Sequence, residues 1–255
     1  MKKLLLLAPL TFLLSASLPA ADTKPGPAAS PASTFVIVHG AWGGGWAFRE
    51  VDRLLTADGH QVHRPTLTGQ GEKVHLASPA IGLTTHVDDI VNVILYEDLH
   101  DVVLVGHSYG GMVITGVMDR IPERLRQVVF LDAAVPEDGE SASAVFNHPP
   151  TPEQLATGFV IPAWVKPNTP PPHDVPQSLK TWTEPVTYRN PAAQKLPGTY
   201  VAFVGPGQKG DSRPAWQRAK ARGWSVLTLE SDHNAQWSHP KELVALLEQI
   251  AATKL

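Results

Sequence analysis

The stretch that decides the fold is Val102-Val-Leu-Val-Gly-His-Ser-Tyr-Gly-Gly-Met112. Its first four residues form the unbroken apolar run that is typical of a strand buried on both faces of a parallel sheet. Glycines flank the central residues, so the chain can turn sharply from the strand into a helix without side-chain collisions. Such a turn lifts the hydroxyl of Ser108 out of the sheet, beside a helix N-terminus where backbone amides stabilise an anion. Ser108 is therefore the candidate nucleophile.

Further apolar runs alternate with segments of helical pattern along the rest of the chain. The runs are Phe35–Val38, Gln61–His63, Gln127–Leu131, Tyr200–Val204 and Ser225–Leu229. The segments predicted to be helices are Trp46–Asp58, His86–Leu99, Gly111–Ile121, Pro214–Arg222 and Pro240–Lys254. This alternation predicts an open, mostly parallel α/β sheet with helices on both faces. In such sheets, function collects at the carboxyl ends of the strands.

Residues 136–198 interrupt the alternation. They hold more than half of the 24 prolines and show no strong strand pattern. Because an unstructured loop of this length is unusual inside a compact domain, we expect a cap of short helices inserted after the strand that ends at Leu131. Within it, Thr151-Pro-Glu-Gln-Leu155 has the pattern of a capped helix with proline at its first position.

Residues 1–21 have the pattern of a secretory signal peptide. Two lysines precede the apolar run Leu4–Leu14, and small residues follow it. The run is shorter than the ~20 residues that a membrane-spanning helix needs, so we expect cleavage rather than a stable membrane anchor. The protein is then expected to be periplasmic or secreted. Residues 22–33, rich in Ala, Pro and Ser, predict a flexible tail, which leaves residues 34–255 as the folded domain.

The composition excludes several classes of function. The chain has no cysteine, which excludes disulfides, thiol catalysis and cysteine-rich zinc sites. With 21 Lys and Arg against 24 Asp and Glu, it has no excess positive charge to attract nucleic acid or an anionic membrane surface. The histidines occur in no metal-binding spacing such as HExxH, so no metal is predicted.

Two other predicted strand ends carry candidate functional residues. The glycine-rich loop 39–46 follows the first strand, and its backbone amides can face a substrate oxygen. A developing oxyanion needs about two such donors, and the candidates are the amides of Ala41 and Tyr109. His233 lies on a loop after the last predicted strand, where a general base can reach Ser108.

Five segments of the chain resemble the α/β-hydrolase superfamily. They are Phe35-Val-Ile-Val-His-Gly-Ala-Trp42, Leu54-Leu-Thr-Ala-Asp-Gly-His-Gln-Val62, Leu104-Val-Gly-His-Ser-Tyr-Gly-Gly-Met112, Val129-Phe-Leu-Asp-Ala-Ala-Val-Pro136 and Asp232-His233. Within the superfamily they are most similar to plant methylesterases, hydroxynitrile lyases and related bacterial esterases. The resemblance implies an α/β-hydrolase fold and a serine hydrolase that needs no cofactor. It also implies a small carboxylic ester as substrate, cleaved through an acyl-enzyme.

Two aspartates are candidates for the acid that orients His233. In most hydrolases that this chain resembles, the acid follows the strand before the histidine strand, and the aspartate available there is Asp211. That residue lies well beyond the end of its strand at Val204. Asp132 instead comes directly after Leu131, a position from which related hydrolases also supply the acid. We favour Asp132 and keep Asp211 as the alternative.

Two other functions are compatible with the same resemblance. Hydroxynitrile lyases carry a lysine directly after the catalytic histidine, whereas this chain has Asn234 there, which weakens that alternative. A hydrolase-like ligand-binding protein would instead hold a small molecule under the cap. For each function the pocket should be largely apolar, and its candidate lining residues are Trp42, Phe146, Trp164 and Trp182.

Overall fold

The structure is a computed structural model that describes residues 32–211 and 213–253. Its centre is a sheet of six parallel strands. In chain order the strands are β1 (Thr34–Val38), β2 (Gln61–His63), β3 (Val102–His107), β4 (Leu125–Leu131), β5 (Phe159–Val160), β6 (Gln177–Ser178), β7 (Gly198–Val204) and β8 (Ser225–Glu230). The six strands of the central sheet lie in the spatial order β2-β1-β3-β4-β7-β8. The remaining two, β5 and β6, form a separate antiparallel pair.

Helices cover both faces of this sheet. The helices of the described residues are α1 (Arg49–Ala57), α2 (Leu83–Tyr96), α3 (Gly110–Arg120), α4 (Ala142–Val145), α5 (Pro152–Thr157), α6 (Lys180–Thr183), α7 (Pro214–Ala221), α8 (Ala235–Ser238) and α9 (Pro240–Ala252). Buried side chains of α1, α8 and α9 form the core on one face, and those of α2, α3 and α7 contribute to the core on the other.

Two-sided burial explains the unbroken apolar runs in the sequence. In β3, Val102 and Leu104 pack into the core with α2 and α3, whereas Val103 and Val105 pack into the core with α1 and α9. The alternation arises because successive side chains of a strand point to opposite faces. All four side chains are fully buried, and each such burial stabilises the fold by roughly 1.5–3 kcal/mol.

The predicted α/β fold is confirmed, and each of the predicted strands is present in the sheet. Two helices begin differently from the prediction. Helix α2 starts at Leu83, three residues before the predicted His86. The segment from Trp46 starts as a 3-10 turn over Gly45–Phe48 and becomes α1 only at Arg49. The turn is tighter because the Ala47 amide bonds to the Gly44 carbonyl, three residues before it.

Residues 136–198, the segment predicted to be a cap, contain α4, α5, α6 and the β5–β6 pair. Helix α5 has the predicted start: the Thr151 hydroxyl accepts from the Gln154 amide, the Gln154 side chain accepts from the Thr151 amide, and proline is at the first position. The segment is joined to the loop after β1, because the Trp42 indole donates to the Val160 carbonyl at 3.0 Å.

Two predictions for the N-terminus lie outside the described residues. They are the signal peptide, residues 1–21, and most of the flexible tail, residues 22–31 of the predicted 22–33. In the ranges that the structure describes, no helix is long and apolar enough to cross a membrane.

Candidate active site

The candidate residues lie at one edge of the sheet. The glycine-rich loop follows β1, Ser108 follows β3, Asp132 follows β4, and His233 comes shortly after β8. Because all these strands are parallel, their carboxyl ends meet at this edge. The topology therefore brings together residues that are far apart in the sequence.

Ser108 occupies a strained turn between β3 and α3. Its φ is 53°, in the left-handed region that serine rarely adopts. The turn is tight: a Cβ atom added to Gly106 would lie 2.8 Å from the Gly110 carbonyl oxygen. Backbone bonds hold it, since the Ser108 amide donates to Leu131 at 3.2 Å and its carbonyl accepts from Ala134 at 3.0 Å. This is the geometry of a nucleophile elbow.

The glycine-rich loop passes directly beside the serine. A Cβ atom added to Gly40 would lie 3.2 Å from the Cβ of Ser108. The loop is anchored by the buried His39, whose Nδ1 donates to the Gly40 carbonyl at 2.8 Å and whose Nε2 accepts from the Leu67 amide at 3.1 Å. Burial lowers the pKa of His39 to about 4, so the ring is neutral and has the one donor and one acceptor that these bonds require.

The two predicted oxyanion donors are backbone amides near Ser108. Among the described residues, the amides of Ala41 and Tyr109 have no hydrogen-bond acceptor, so both are available to a ligand. The side chain of Tyr109 fixes its backbone, because the phenol donates to Nδ1 of the buried His86 at 3.0 Å. The other nitrogen of His86 donates to the Thr68 carbonyl at 3.0 Å. Burial lowers the pKa of His86 to about 4, which keeps this ring neutral as well.

Asp132, rather than Asp211, lies next to His233. The Oδ2 atom of Asp132 accepts from Nδ1 of His233 at 2.7 Å, and the carboxylate is only 10% exposed. Its Oδ1 atom accepts from the Arg213 guanidinium and, at 3.4 Å, from the Phe203 amide. Asp211 is exposed on the loop after β7. The geometry thus gives His233 an oriented Nδ1 and leaves its Nε2 available.

A cavity of about 450 Å³ opens at this edge of the sheet. Ser108 and His233 both line it, together with the glycine-rich loop from His39 to Gly43. A different cavity, of about 510 Å³, lies near the starts of β7 and β8, away from these residues. The cavity beside Ser108 is large enough for a small organic ligand.

Comparison with known proteins identifies the family. The sequence profile described as "Alpha/beta hydrolase family" matches residues 35–246. The chain belongs to this family. A carbendazim hydrolyzing esterase of Nocardioides sp. (strain SG-4G) is 37% identical over 251 residues, covering 86% of this chain and 99% of that protein. Methylesterase 1 of Arabidopsis thaliana is 34% identical over 124 residues, 44% of each chain.

A solved structure has the same fold. An extracellular α/β-hydrolase from a Paenibacillus species superposes with a TM-score of 0.68 at 22% identity, covering 85% of this chain and 98% of that one. The family match and the relatives at 34–37% identity confirm the resemblance read from the sequence. The relatives of the chain are esterases and methylesterases, and this α/β hydrolase is an enzyme of the carboxylesterase type.

The four aromatic residues predicted to line the pocket of the hydrolase fall into two groups. Trp42 and Trp164 line the cavity beside Ser108, with ring centroids 5.0 Å apart. Trp182 lies behind Trp42, at 5.3 Å, and lines a separate cavity of about 220 Å³. Phe146 packs against Trp182 at 5.9 Å and lines neither cavity.

The structure adds two residues to the site that the sequence did not indicate. His107 is buried beneath the loop that carries His233: its Nε2 donates to the backbone carbonyl of His233 at 2.8 Å, and the two rings are 4.7 Å apart. Burial lowers the pKa of His107 to about 3, so it acts as a neutral donor. Its place directly before Ser108 was the available signal. No sequence signal indicated Arg213, because its partner Asp132 lies 81 residues away in the chain.

In the part of the chain that the structure describes, no group of three or more histidine, aspartate or glutamate side chains is placed to hold a metal ion.

Proposed function

We propose that this α/β hydrolase cleaves small carboxylic esters through an acyl-enzyme, with Ser108 as nucleophile, His233 as general base and Asp132 as the orienting acid. The observation that carries the proposal is the 2.7 Å bond between Asp132 Oδ2 and His233 Nδ1, at the edge of the cavity that Ser108 also lines. This bond favours the tautomer with the proton on Nδ1. The Nε2 atom can then accept the proton of the serine hydroxyl.

The reaction follows from the positions of these groups. Ser108 attacks the ester carbonyl while His233 takes its proton, and the amides of Ala41 and Tyr109 bind the oxyanion that forms. His233 then returns the proton to the departing alcohol, and a water molecule activated by the same histidine releases the acid. One oxyanion donor contributes about 2.7–4 kcal/mol to such a transition state, so two preorganised amides supply much of the acceleration.

The names of the relatives support a small ester as substrate. One relative is a carbendazim hydrolyzing esterase and another is a plant methylesterase. The cavity of about 450 Å³ fits a ligand of modest size, and three of its lining residues are tryptophans. We therefore propose esters with a short acyl or alcohol part as the first substrates to test.

The test combines turnover with covalent labelling. The purified hydrolase should cleave p-nitrophenyl acetate, and Ser108→Ala should lower kcat by at least about a thousandfold. Ser225→Ala, at the opposite edge of the sheet, is the matched control and should keep wild-type kcat. A fluorophosphonate should add its mass to the peptide that contains Ser108 and to no peptide of the Ser108→Ala variant. Wild-type turnover by Ser108→Ala would show that the proposal is wrong.

We further propose that residues 1–21 are a signal peptide and that the mature enzyme is periplasmic or secreted. The support is the order of the two lysines, the apolar run and the small residues that follow. Intact-mass measurement on the protein isolated from its host should give an N-terminus near Ala21 or Asp22. A mature protein that retains Met1 would refute cleavage.

A further inference from the structure

The cavity beside Ser108 contains a carboxylate that the proposed mechanism does not use. Asp174 lies on the cap loop just before β6 and lines this cavity. Its Oδ2 atom accepts from the indole nitrogen of Trp164 at 2.8 Å. The next residue, Val175, donates its amide to the Trp42 carbonyl at 2.8 Å, which ties the loop to the glycine-rich segment. Asp174 is thus held in place from two sides.

The second oxygen of this carboxylate faces the glycine-rich loop. A Cβ atom built on Gly43 would lie 3.8 Å from Asp174 Oδ1 and 3.9 Å from the Gly40 carbonyl oxygen. Gly40 in turn lies against Ser108. No donor among the described residues bonds to Asp174 Oδ1. A ligand attacked by Ser108 can therefore reach this oxygen by extending along the short loop from Gly40 to Gly43.

The charge of the cavity is one-sided. Among the described residues that line it, none is lysine or arginine, so no fixed positive charge offsets Asp174. The buried histidines of the lining, His39 and His107, are neutral because burial lowers their pKa to about 4 and about 3. A positive group that enters the cavity meets a carboxylate that no lysine or arginine of the lining offsets, whereas an anionic group is repelled.

Aromatic rings form the walls next to this carboxylate. Trp42 and Trp164 meet edge to face, with centroids 5.0 Å apart, and Trp237 lines the other side of the cavity with its ring stacked on Trp46. The face of an indole ring attracts a cation through its quadrupole. A carboxylate next to indole rings therefore favours binding of an ammonium group over binding of a neutral group of the same shape.

We propose that the cavity has a subsite, formed by Asp174, Trp42 and Trp164, for a cationic amine on the part of the ester that lies away from the reacting carbonyl. The inference rests on the proposed function, because it assigns the substrate class of the same site. Exposed cation–π and ion-pair contacts are each modest, so together they favour the cationic ester by about tenfold in kcat/KM. Esters that carry a carboxylate should be disfavoured.

Two esters of the same shape isolate the effect of charge. Acetylcholine and 3,3-dimethylbutyl acetate differ only in having a quaternary nitrogen or a quaternary carbon. We would measure kcat/KM for both esters in the wild type, Asp174→Asn and Asp58→Asn. Each kcat/KM value is divided by the rate of alkaline hydrolysis of the same ester. The wild type should prefer the cationic ester about tenfold, and Asp174→Asn should reduce this ratio to about twofold or less. Asp58→Asn, the same change at the exposed end of α1, should keep the wild-type ratio.

A binding measurement keeps the two proposals separable. Choline should change the tryptophan fluorescence of the Ser108→Ala protein at concentrations at least about fivefold lower than those needed with the Ser108→Ala, Asp174→Asn protein. Two results would overturn the subsite: equal choline binding by the two Ser108→Ala proteins, or a preference for the cationic ester that survives Asp174→Asn. Turnover of p-nitrophenyl acetate would still uphold the esterase proposal in either case. If no ester is hydrolysed, the esterase proposal fails and choline binding alone decides the subsite.

Discussion

Replacing Asp132 by asparagine tests the catalytic geometry most directly. In the wild type, Oδ1 of Asp132 accepts from Arg213 and Oδ2 accepts from His233 Nδ1. Asparagine has the same shape but only one acceptor oxygen and an NH2 group. Since the guanidinium of Arg213 is a donor without acceptors, the amide oxygen must face Arg213 and the NH2 group must face His233.

This orientation forces His233 into the wrong tautomer. An NH2 group facing Nδ1 requires that nitrogen to accept, so the ring proton moves to Nε2, and Nε2 can no longer accept the proton of Ser108. Turning the amide around would place two donors against each other at Arg213, which costs about 1.5–3 kcal/mol. The variant also loses the charge that stabilises the imidazolium. We expect kcat to fall by about ten-thousandfold, or roughly 5.5 kcal/mol in the activation free energy.

The assay is kcat for p-nitrophenyl acetate at pH 7, with folding of each variant checked by its thermal transition. Asp211→Asn is the matched control: it makes the same change on the exposed loop after β7 and should retain near-normal kcat. In Asp132→Asn, the further change Arg213→Met frees the amide to turn, so kcat should rise relative to Asp132→Asn alone. A loss in Asp211→Asn comparable to that expected for Asp132→Asn would refute this reasoning and assign the acid to Asp211.

Two further predictions concern stability. The buried His39, His86 and His107 have folded-state pKa values of about 4, about 4 and about 3, below the reference value of 6.5, so the unfolded chain binds more protons as the pH falls below about 6.5. The free energy of unfolding from urea titrations should therefore decrease between pH 6.5 and 4, with a slope of up to about 1.4 kcal/mol per pH unit for each histidine, and a pH-independent value would contradict their burial as neutral rings. Gly111→Ala should lower the free energy of unfolding by about 3 kcal/mol or more in the same assay, because its Cβ would lie 2.1 Å from a backbone carbonyl oxygen. Gly223→Ala is the control: its Cβ would meet open space but its φ is 74°, so the loss should be only about 1 kcal/mol. Equal losses in the two variants would argue against the close approach at Gly111.

The parts of this structure that follow from local pattern were predictable from the sequence. Buried parallel strands need continuous apolar residues, and the serine elbow needs glycines within a few residues of Ser108, so both leave a local trace. The positions of Asp132 and His233 at strand ends follow from the parallel topology. What the topology did not specify is which aspartate reaches the histidine, because both candidates follow strands of the same sheet.

The contacts made by the cap were not predictable in the same way. Trp42, Phe146, Trp164 and Trp182 all qualify as apolar lining by residue type, yet only Trp42 and Trp164 line the cavity beside Ser108. Which side of the cap an aromatic residue faces depends on the path of the loops between its short helices. Asp174 illustrates the same limit, since its role depends on contacts with Trp164 and the glycine-rich loop rather than on any local spacing.

The position of Asp132 is matched by small residues and an arginine after the neighbouring strand β7. In the sheet, β7 lies between β4, which precedes Asp132, and β8, which precedes His233. The bond between these two side chains must therefore pass over the end of β7, where the chain continues as Gly205-Pro-Gly207 and offers no bulky side chain. Gly205 and Pro206 line the same opening as Asp132 and His233. An acid on β4 also leaves its second oxygen near the β7 loop, and Arg213 from that loop binds it. Small residues at the end of β7 and a cation farther along the loop thus make Asp132 a workable partner for His233.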